Sequence, residues 1–129
     1  MHGFPEDLSP SVFENKRLRG LYILENCVFL HFEEELDVVP LDRALETVEI
    51  RVDSCLTYTT PDGTTERETM PLRSINLNTL VGAVVARATV DVDSTLTLQF
   101  RDGRVLCCHE DLGNVECYNI TFGGRTYYV

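Results

Sequence analysis

The feature that most constrains the fold of this chain is a twelve-residue phrase that occurs twice. Residues 52–63 read VDSCLTYTTPDG and residues 92–103 read VDSTLTLQFRDG, with seven identical positions. In the second copy, apolar and polar residues alternate up to an Asp-Gly pair, which is typical of a half-buried strand ending in a tight turn. The repeated phrase therefore predicts two β-hairpins.

The similarity extends to both sides of the phrase, and it predicts an internal repeat at approximately 41–70 and 81–110. Each unit is expected to contain a strand, a turn at Asp-Ser, a second strand, the Asp-Gly turn and a third strand. Because a lone hairpin is marginally stable in water, we expect the apolar faces of the two units to cover each other. Duplication explains the repeat; independent selection of residues favoured in hairpins is the alternative. A fainter third copy over 27–39 places Glu33, Glu34 and Glu35 at its turn.

The spacing of turn signals predicts a mainly β fold, α+β at most, in a single domain over residues 1–129. We expect an antiparallel meander of about eight to ten short strands, forming a sandwich or an open barrel from the two hairpin units. Ser9 and Pro10 are a good N-cap and first-turn pair, and Gly20 follows as a stop signal. A short N-terminal helix is therefore predicted over 10–18, with further helical turns at 40–45 and 75–81.

The charge of the chain is strongly negative, with 11 basic and 21 acidic residues and a net charge of −10. The excess is uneven, because residues 1–64 carry five basic and thirteen acidic side chains and residues 65–129 carry six and eight. A field of this sign repels nucleic acid and anionic membranes and attracts cationic partners. Solubility alone is the competing explanation.

Two features predict a cytoplasmic protein. No stretch is apolar for long enough to cross a bilayer, and the opening MHGFPEDLSPSVF lacks the basic start and apolar centre of a secretory signal. In a reducing compartment the odd number of cysteines is expected to serve as small apolar residues. They are Cys27, Cys55, Cys107, Cys108 and Cys117.

No pattern in the chain predicts catalysis, a cofactor or a metal. His109 adjoins Cys108 on a predicted strand, so the two side chains point to opposite faces and do not form a nucleophile–base pair. Cys107 and Cys117 add zinc-type ligands, but there is no second cysteine pair. Paired carboxylates lack the apolar cleft and the Trp that glycosidase chemistry would favour. We therefore predict a protein that is not an enzyme.

The C-terminal half carries a resemblance. The stretch STLTLQFRDGRVLCCHEDLGNVECYNI resembles small bacterial domains of uncharacterised function, in which a hairpin leads to an acidic residue just before an aromatic one, often Trp; here these are Glu116 and Tyr118. The resemblance covers residues 84–121. In length, charge and lack of catalytic residues, the chain also resembles immunity proteins of contact-dependent and polymorphic toxin systems. That resemblance implies binding and occlusion of a toxin domain, and it transfers no active-site residue.

The predicted contact surface is the acidic N-terminal half, where a carboxylate rim would steer a basic partner and replace the phosphates that a nuclease-type toxin grips. Exposed aromatic residues, Tyr22, Tyr127 or Tyr128, would anchor the contact. Pairing of the carboxylates with the chain's own arginines would argue against it. The predicted contact residues are Glu33, Glu34, Glu35, Asp37, Asp42, Glu46 and Glu49.

Two other functions fit the same sequence. A self-associating structural or scaffold protein would pair its sheet edges with a second copy, and its charge would serve solubility. A small β-barrel enzyme or ligand carrier requires an apolar pocket with converging polar groups, which no pattern here indicates. We rank the binding protein first, the homodimeric scaffold second and the carrier last.

Overall fold

A computed structural model describes residues 3–36, 38, 40–110 and 117–129 of the chain. Within these ranges the regular elements are ten β-strands and two single turns of 3-10 helix, at Pro10–Phe13 and Leu77–Leu80. The strands are β1 (Lys16–Ile23), β2 (Val28–Glu34), β3 (Thr47–Val52), β4 (Cys55–Thr59), β5 (Thr65–Thr69), β6 (Val85–Val90), β7 (Leu96–Phe100), β8 (Val105–His109), β9 (Tyr118–Phe122) and β10 (Arg125–Tyr128).

The strands form two antiparallel sheets of five strands each. The first sheet has the order β1-β2-β3-β9-β10, and the second has the order β5-β4-β8-β7-β6. The prediction of a mainly β, antiparallel fold is thus confirmed. The chain changes sheets between β3 and β4, where the buried Ser54 hydroxyl donates to the carbonyl oxygens of His109, at 2.8 Å, and Cys117, at 3.1 Å.

The two Asp-Gly hairpins form where the repeated phrase predicts them. They are β4–β5 and β7–β8, and their turns place Gly63 and Gly103 at φ of 90° and 94°, a region that favours glycine. The expectation that the two units cover each other is wrong. β4 pairs directly with β8, so the hairpins lie side by side in the second sheet, where each completes the other's backbone hydrogen bonds. The units also diverge, because β3 lies in the first sheet and β6 in the second.

The predicted N-terminal helix over 10–18 is wrong beyond its first turn. Ser9 caps that turn as expected, and its Oγ accepts from the N–H of Ser11 at 3.3 Å. Asn15 then takes a left-handed φ of 61°, and the chain continues as β1. Pairing of β1 with β2 buries Leu18, and this tertiary contact overrides the local helix signals.

Two further local predictions are corrected. Glu33 and Glu34 belong to β2 rather than to a turn, and residues 40–45 contain a bend at 41–43 and no helix. The turn predicted at 75–81 is present as a 3-10 turn at Leu77–Leu80. In the described part of the chain no helix has the length and hydropathy needed to cross a membrane.

Both sheets contribute to one buried apolar cluster. Its central side chains are fully buried, among them Leu30, Ile50 and Ile120 of the first sheet and Leu56, Leu98 and Leu106 of the second. Because successive strand residues point to opposite sides, each sheet has one face in this cluster and one face exposed. The exposed faces position the polar and aromatic side chains described next.

Candidate functional site

The six predicted contact residues that the structure describes do not form one surface. Asp37 lies outside the described residues, and Asp42 is exposed in the connection between β2 and β3. The others lie in or beside β2 and β3. Strand alternation sends Glu33 to the exposed face of the first sheet and Glu34 to the opposite side. Acidic residues that are close together in the sequence are therefore not all on the same face of the sheet.

Two of these carboxylates bind cations of the chain itself. Glu34 forms an ion pair with Arg43 at 2.8 Å, and Glu46 forms one with the buried Lys16 at 2.7 Å. The hydrogen bond from Arg43, followed by one from the N–H of Glu46, holds the pKa of the Glu34 carboxyl below its ordinary value. This part of the acidic run is neutralised internally.

Glu35 is also neutralised internally, and it links the two sheets. One oxygen accepts from Arg17 of β1 at 2.7 Å, and the other accepts from Arg101, which follows β7, at 2.6 Å. Arg17 also donates to the carbonyl of Gly82 at 2.6 Å. The arrangement holds both sheets together at one end, so Glu35 contributes to structure.

The exposed face of the first sheet carries a row of aromatic and polar side chains, one from each strand. Register pairs Tyr22 with Phe29, Phe29 with Arg51, Arg51 with Asn119, and Asn119 with Tyr128. We call these five residues the aromatic row. Since adjacent strands lie about 4.8 Å apart, the row extends over about 19 Å.

The aromatic row is exposed at both ends, and local contacts position the guanidinium at its centre. Tyr22 is 62% exposed and Tyr128 is 48% exposed. The Arg51 guanidinium lies 5.4 Å from the centroid of the Phe29 ring, and its Nε donates to both oxygens of Asp53, at 2.9 and 3.1 Å. The row thus presents aromatic surface and a positioned guanidinium on a five-stranded support.

Gly20 lies beside one end of this row. A Cβ at this position would lie 3.4 Å from the Cβ of His31 and 3.5 Å from Cε2 of Tyr22, which are ordinary van der Waals contacts. The Tyr22 ring thus lies next to the backbone of Gly20.

A second, polar row runs beside the aromatic row. His31 lies between two carboxylates, with Nδ1 3.5 Å from Glu49 and Nε2 3.6 Å from Glu33. Farther along the row, the hydroxyls of Thr121 and Thr126 are 3.0 Å apart. Among the described residues, the predicted contact residues on this face are Glu33 and Glu49, and the His31 ring lies between their carboxylates.

A shallow groove of about 530 Å³ runs over β9, and we call it the β9 groove. Its floor consists of the short side chains Asn119 and Thr121, and longer side chains from β3 and β10 stand on either side. Carboxylate, guanidinium, hydroxyl, amide and phenol groups all reach it. The lining residues are Phe29, Glu49, Arg51, Asp53, Asn119, Thr121, Thr126 and Tyr128.

The exposed face of the second sheet is rich in threonine and carries His109. Its Nε2 lies 2.5 Å from the Thr57 hydroxyl, and its Nδ1 lies 3.5 Å from the Thr95 hydroxyl. Burial lowers the pKa of His109, the charge of Arg67 lowers it further, and Asp91 opposes the shift. The two hydroxyl contacts, one at each ring nitrogen, hold the His109 ring in place.

The neighbouring cysteines separate as strand geometry requires. Cys108 is buried in the core and Cys107 is half-buried on the exposed face. Burial raises the pKa of the Cys108 thiol well above its ordinary range, so it stays protonated. Among the described residues, no three His, Cys, Asp or Glu side chains lie close enough together to hold a metal ion.

Of the aromatic anchors predicted from the sequence, Tyr22 and Tyr128 lie on the exposed face of the first sheet. Tyr127 packs against the core cluster instead. Phe29 and Arg51 were missed, although their alternation with buried residues of β2 and β3 is a signal that places them on that face.

Comparison with known proteins gives no match: no family model fits the chain, and no curated protein or solved structure is significantly similar to it.

Proposed function

We propose that the protein is a non-catalytic, cytoplasmic binding protein that occludes a cationic protein partner, in the manner of a toxin-neutralising immunity protein. Its docking surface is the exposed face of the first sheet. The observation that carries the proposal is the aromatic row, because Tyr and Arg are the residue types that contribute most to protein interfaces. Their support on a paired sheet limits the conformational entropy lost on binding.

The architecture supports a flat docking surface. The two sheets are proposed to pack as a sandwich, since residues of both belong to a single buried cluster. In a sandwich the exposed face of the first sheet is one of the two broad surfaces of the molecule. An occluding protein needs such a surface, because it acts by covering its partner.

The negative charge of the chain supports a cationic partner. It acts at long range, and not through direct contacts of the acidic run as the sequence predicts. Glu34, Glu35 and Glu46 bind the chain's own cations, so they add little local charge to an interface. The net charge of −10 still creates a long-range field that raises the rate of encounter with a basic protein. Glu33 and Glu49 remain on the docking surface as local partners for cations.

The proposal predicts that a basic protein is encoded beside the gene of this chain; that protein, produced as an inactive variant, is titrated by calorimetry. Tyr22→Ala and Tyr128→Ala are each expected to weaken binding at least tenfold, since loss of an interface anchor costs about 2 kcal/mol or more. Thr97→Ala, on the exposed face of the second sheet, is the matched control and should leave the affinity unchanged. Equal affinity for all variants, or no binding at low salt, would reject the proposal.

Self-association is the second candidate, because three consecutive exposed apolar residues lie at the end of β1 and directly after it. Tyr22, Ile23 and Leu24 are all about half exposed or more. A scaffold protein would bury them against a second copy. Sedimentation velocity distinguishes the candidates: a dimer that persists in high salt and that Ile23→Asp converts to a monomer favours the scaffold.

A further inference from the structure

We infer that the β9 groove receives one cationic side chain, a lysine or an arginine, and that Glu49 is its counter-ion. This inference rests on the proposed function, and it specifies what the partner presents at the docking surface. Three features of the groove support it: the shape, the pairing of the surrounding charges and the acceptors in the lining.

The shape of the groove suits a single long side chain. Its walls are formed by β3 and β10, which flank β9, so they stand about 9.6 Å apart at the backbone. Asn119 and Thr121 are short enough to leave the space between the walls open. An extended lysine or arginine stem fits lengthwise along such a floor, whereas a polypeptide strand with its side chains does not.

The charges of the groove favour a cation. The guanidinium of Arg51 stacks on Phe29 and donates to both oxygens of Asp53, so its positive charge is compensated inside the protein. Glu49 has a weaker interaction, 3.5 Å from His31. Its carboxylate is thus the charged group of the groove that a ligand cation engages, and it would repel an anionic ligand.

The remaining groups of the groove complement an ammonium or guanidinium. The Thr121 and Thr126 hydroxyls and the Asn119 amide oxygen accept hydrogen bonds, and a guanidinium carries five donors. The Tyr128 ring borders the groove and offers an aromatic surface to a cation. Acceptors, one carboxylate and one ring are a set that recognises a basic side chain.

The test uses small probes and the isolated protein, so it does not depend on the partner. Nα-acetyl-arginine amide and Nα-acetyl-lysine amide are titrated into isotope-labelled protein, and Nα-acetyl-citrulline amide serves as the neutral analogue of arginine. Chemical-shift changes are expected at the Asn119 side-chain amide and the backbone amides of Thr121 and Thr126. One or both cations should bind with millimolar affinity, and citrulline should bind at least tenfold more weakly.

Variants locate the counter-ion. Glu49→Gln should weaken cation binding about tenfold, as expected for loss of a charge-assisted hydrogen bond. Glu66→Gln, on β5 of the second sheet, removes the same charge from an exposed strand and should have no effect. The spectrum of each variant shows whether it is folded, and Glu49→Asp supplies a second, charge-conserving variant that should retain binding.

Three results would overturn the inference: shifts spread over the whole surface, equal binding of citrulline, or equal loss in Glu49→Gln and Glu66→Gln. The outcome also separates this inference from the proposed function. If Tyr22→Ala weakens binding of the protein partner and Glu49→Gln does not, the docking surface stands and the cation site is rejected. If arginine binds in the groove and no protein partner does, the cation site stands alone.

Discussion

At the scale of single residues, the buried ammonium of Lys16 is a charge that the fold must compensate. Its side chain is 5% exposed, it donates to Glu46 at 2.7 Å and to the carbonyl of Val12, and it lies 5.9 Å from the centroid of the Phe122 ring. A buried charge is costly unless it is paired and hydrogen-bonded. Glu46 therefore serves the stability of this chain.

Glu46→Gln is expected to lower the free energy of unfolding by about 1–2 kcal/mol, because it leaves the Lys16 charge without its counter-ion. The value is below that for a fully buried pair, since Glu46 is half exposed and solvent screens the interaction. Urea unfolding followed by circular dichroism measures it. Asp42→Asn, at an exposed acid nearby, is the control.

The double variant Lys16→Met, Glu46→Gln completes this measurement. Replacing a buried ion pair by apolar atoms of similar volume is often close to neutral, so the double variant should regain most of the lost stability. If it is less stable than Glu46→Gln alone, the ammonium is stabilised mainly by Val12 and Phe122, and the role given to Glu46 is refuted.

At the scale of elements, the Asp-Gly turn between β4 and β5 is stabilised by its own aspartate. Asp62 accepts from the Thr60 hydroxyl and from the N–H of Thr64, at 2.9 Å for the latter. The Thr60 hydrogen bond, followed by those of Thr64, lowers the pKa of Asp62 to about 2. In the turn between β7 and β8, Asp102 accepts from the N–H and side chain of Arg104.

The pH dependence of this turn has a defined sign. Because the pKa of Asp62 is lower in the folded chain than its ordinary 3.8, the stabilisation is complete above about pH 4 and is lost as pH falls towards 2. Asp62→Asn should therefore flatten the loss of stability in this window and leave its slope above pH 5 unchanged. Chemical unfolding at a series of pH values measures it, with Glu25→Gln as control. An unchanged slope between pH 4 and 2 would contradict the assignment.

The elements that the sequence predicts are those specified by neighbouring residues. Alternation and Asp-Gly pairs locate the hairpins β4–β5 and β7–β8, because a tight turn and its strands are local. The pairing of β3 with β9 is not local, since it joins Ile50 to Ile120. The N-terminal helix fails for the same reason: the partner that converts residues 16–18 to strand is β2, which no local signal reveals.

In the candidate site, too, the sequence predicts what depends on neighbouring residues and misses what depends on distant ones. Exposed Tyr22 and Tyr128 are identifiable from the sequence, but only the register of five strands shows that they end one row. The acidic run is evident as well, yet one of the two arginines that neutralise Glu35 is Arg101, 66 positions away. Charge density along a chain predicts a surface only when the distant counter-ions are known.

At the scale of the whole molecule, Cys108 and Cys117 report on the integrity of the core, because both belong to its buried cluster. Cys107 is half-buried on the exposed face of the second sheet. The other four, Cys27, Cys55, Cys108 and Cys117, are buried. Reaction with an alkylating reagent requires an accessible thiolate, so burial protects a cysteine until the fold opens.

Treatment of the native protein with iodoacetamide is expected to modify Cys107 first, and peptide mass spectrometry identifies the site. Cys108 and Cys117 should react only in denaturant, because they belong to the core cluster and their access requires separation of the sheets. A Cys107→Ser variant is the control and should show no rapid modification. Rapid modification of Cys108 or Cys117 in the native wild-type protein would show that the core opens readily.

The side-by-side pairing of β4 with β8 has a consequence for synthesis of the chain. Thr59 pairs with Val105, so 46 positions must still be translated after β4 before its partner exists. At about 5–20 residues per second, that wait is roughly 2–9 s. β5, which carries charged residues, pairs with one edge of β4 in the nascent hairpin. The other edge of β4 stays unpaired and can pair with a strand of a nascent chain on a neighbouring ribosome. Newly made molecules are most vulnerable to aggregation in that interval, before β8 arrives.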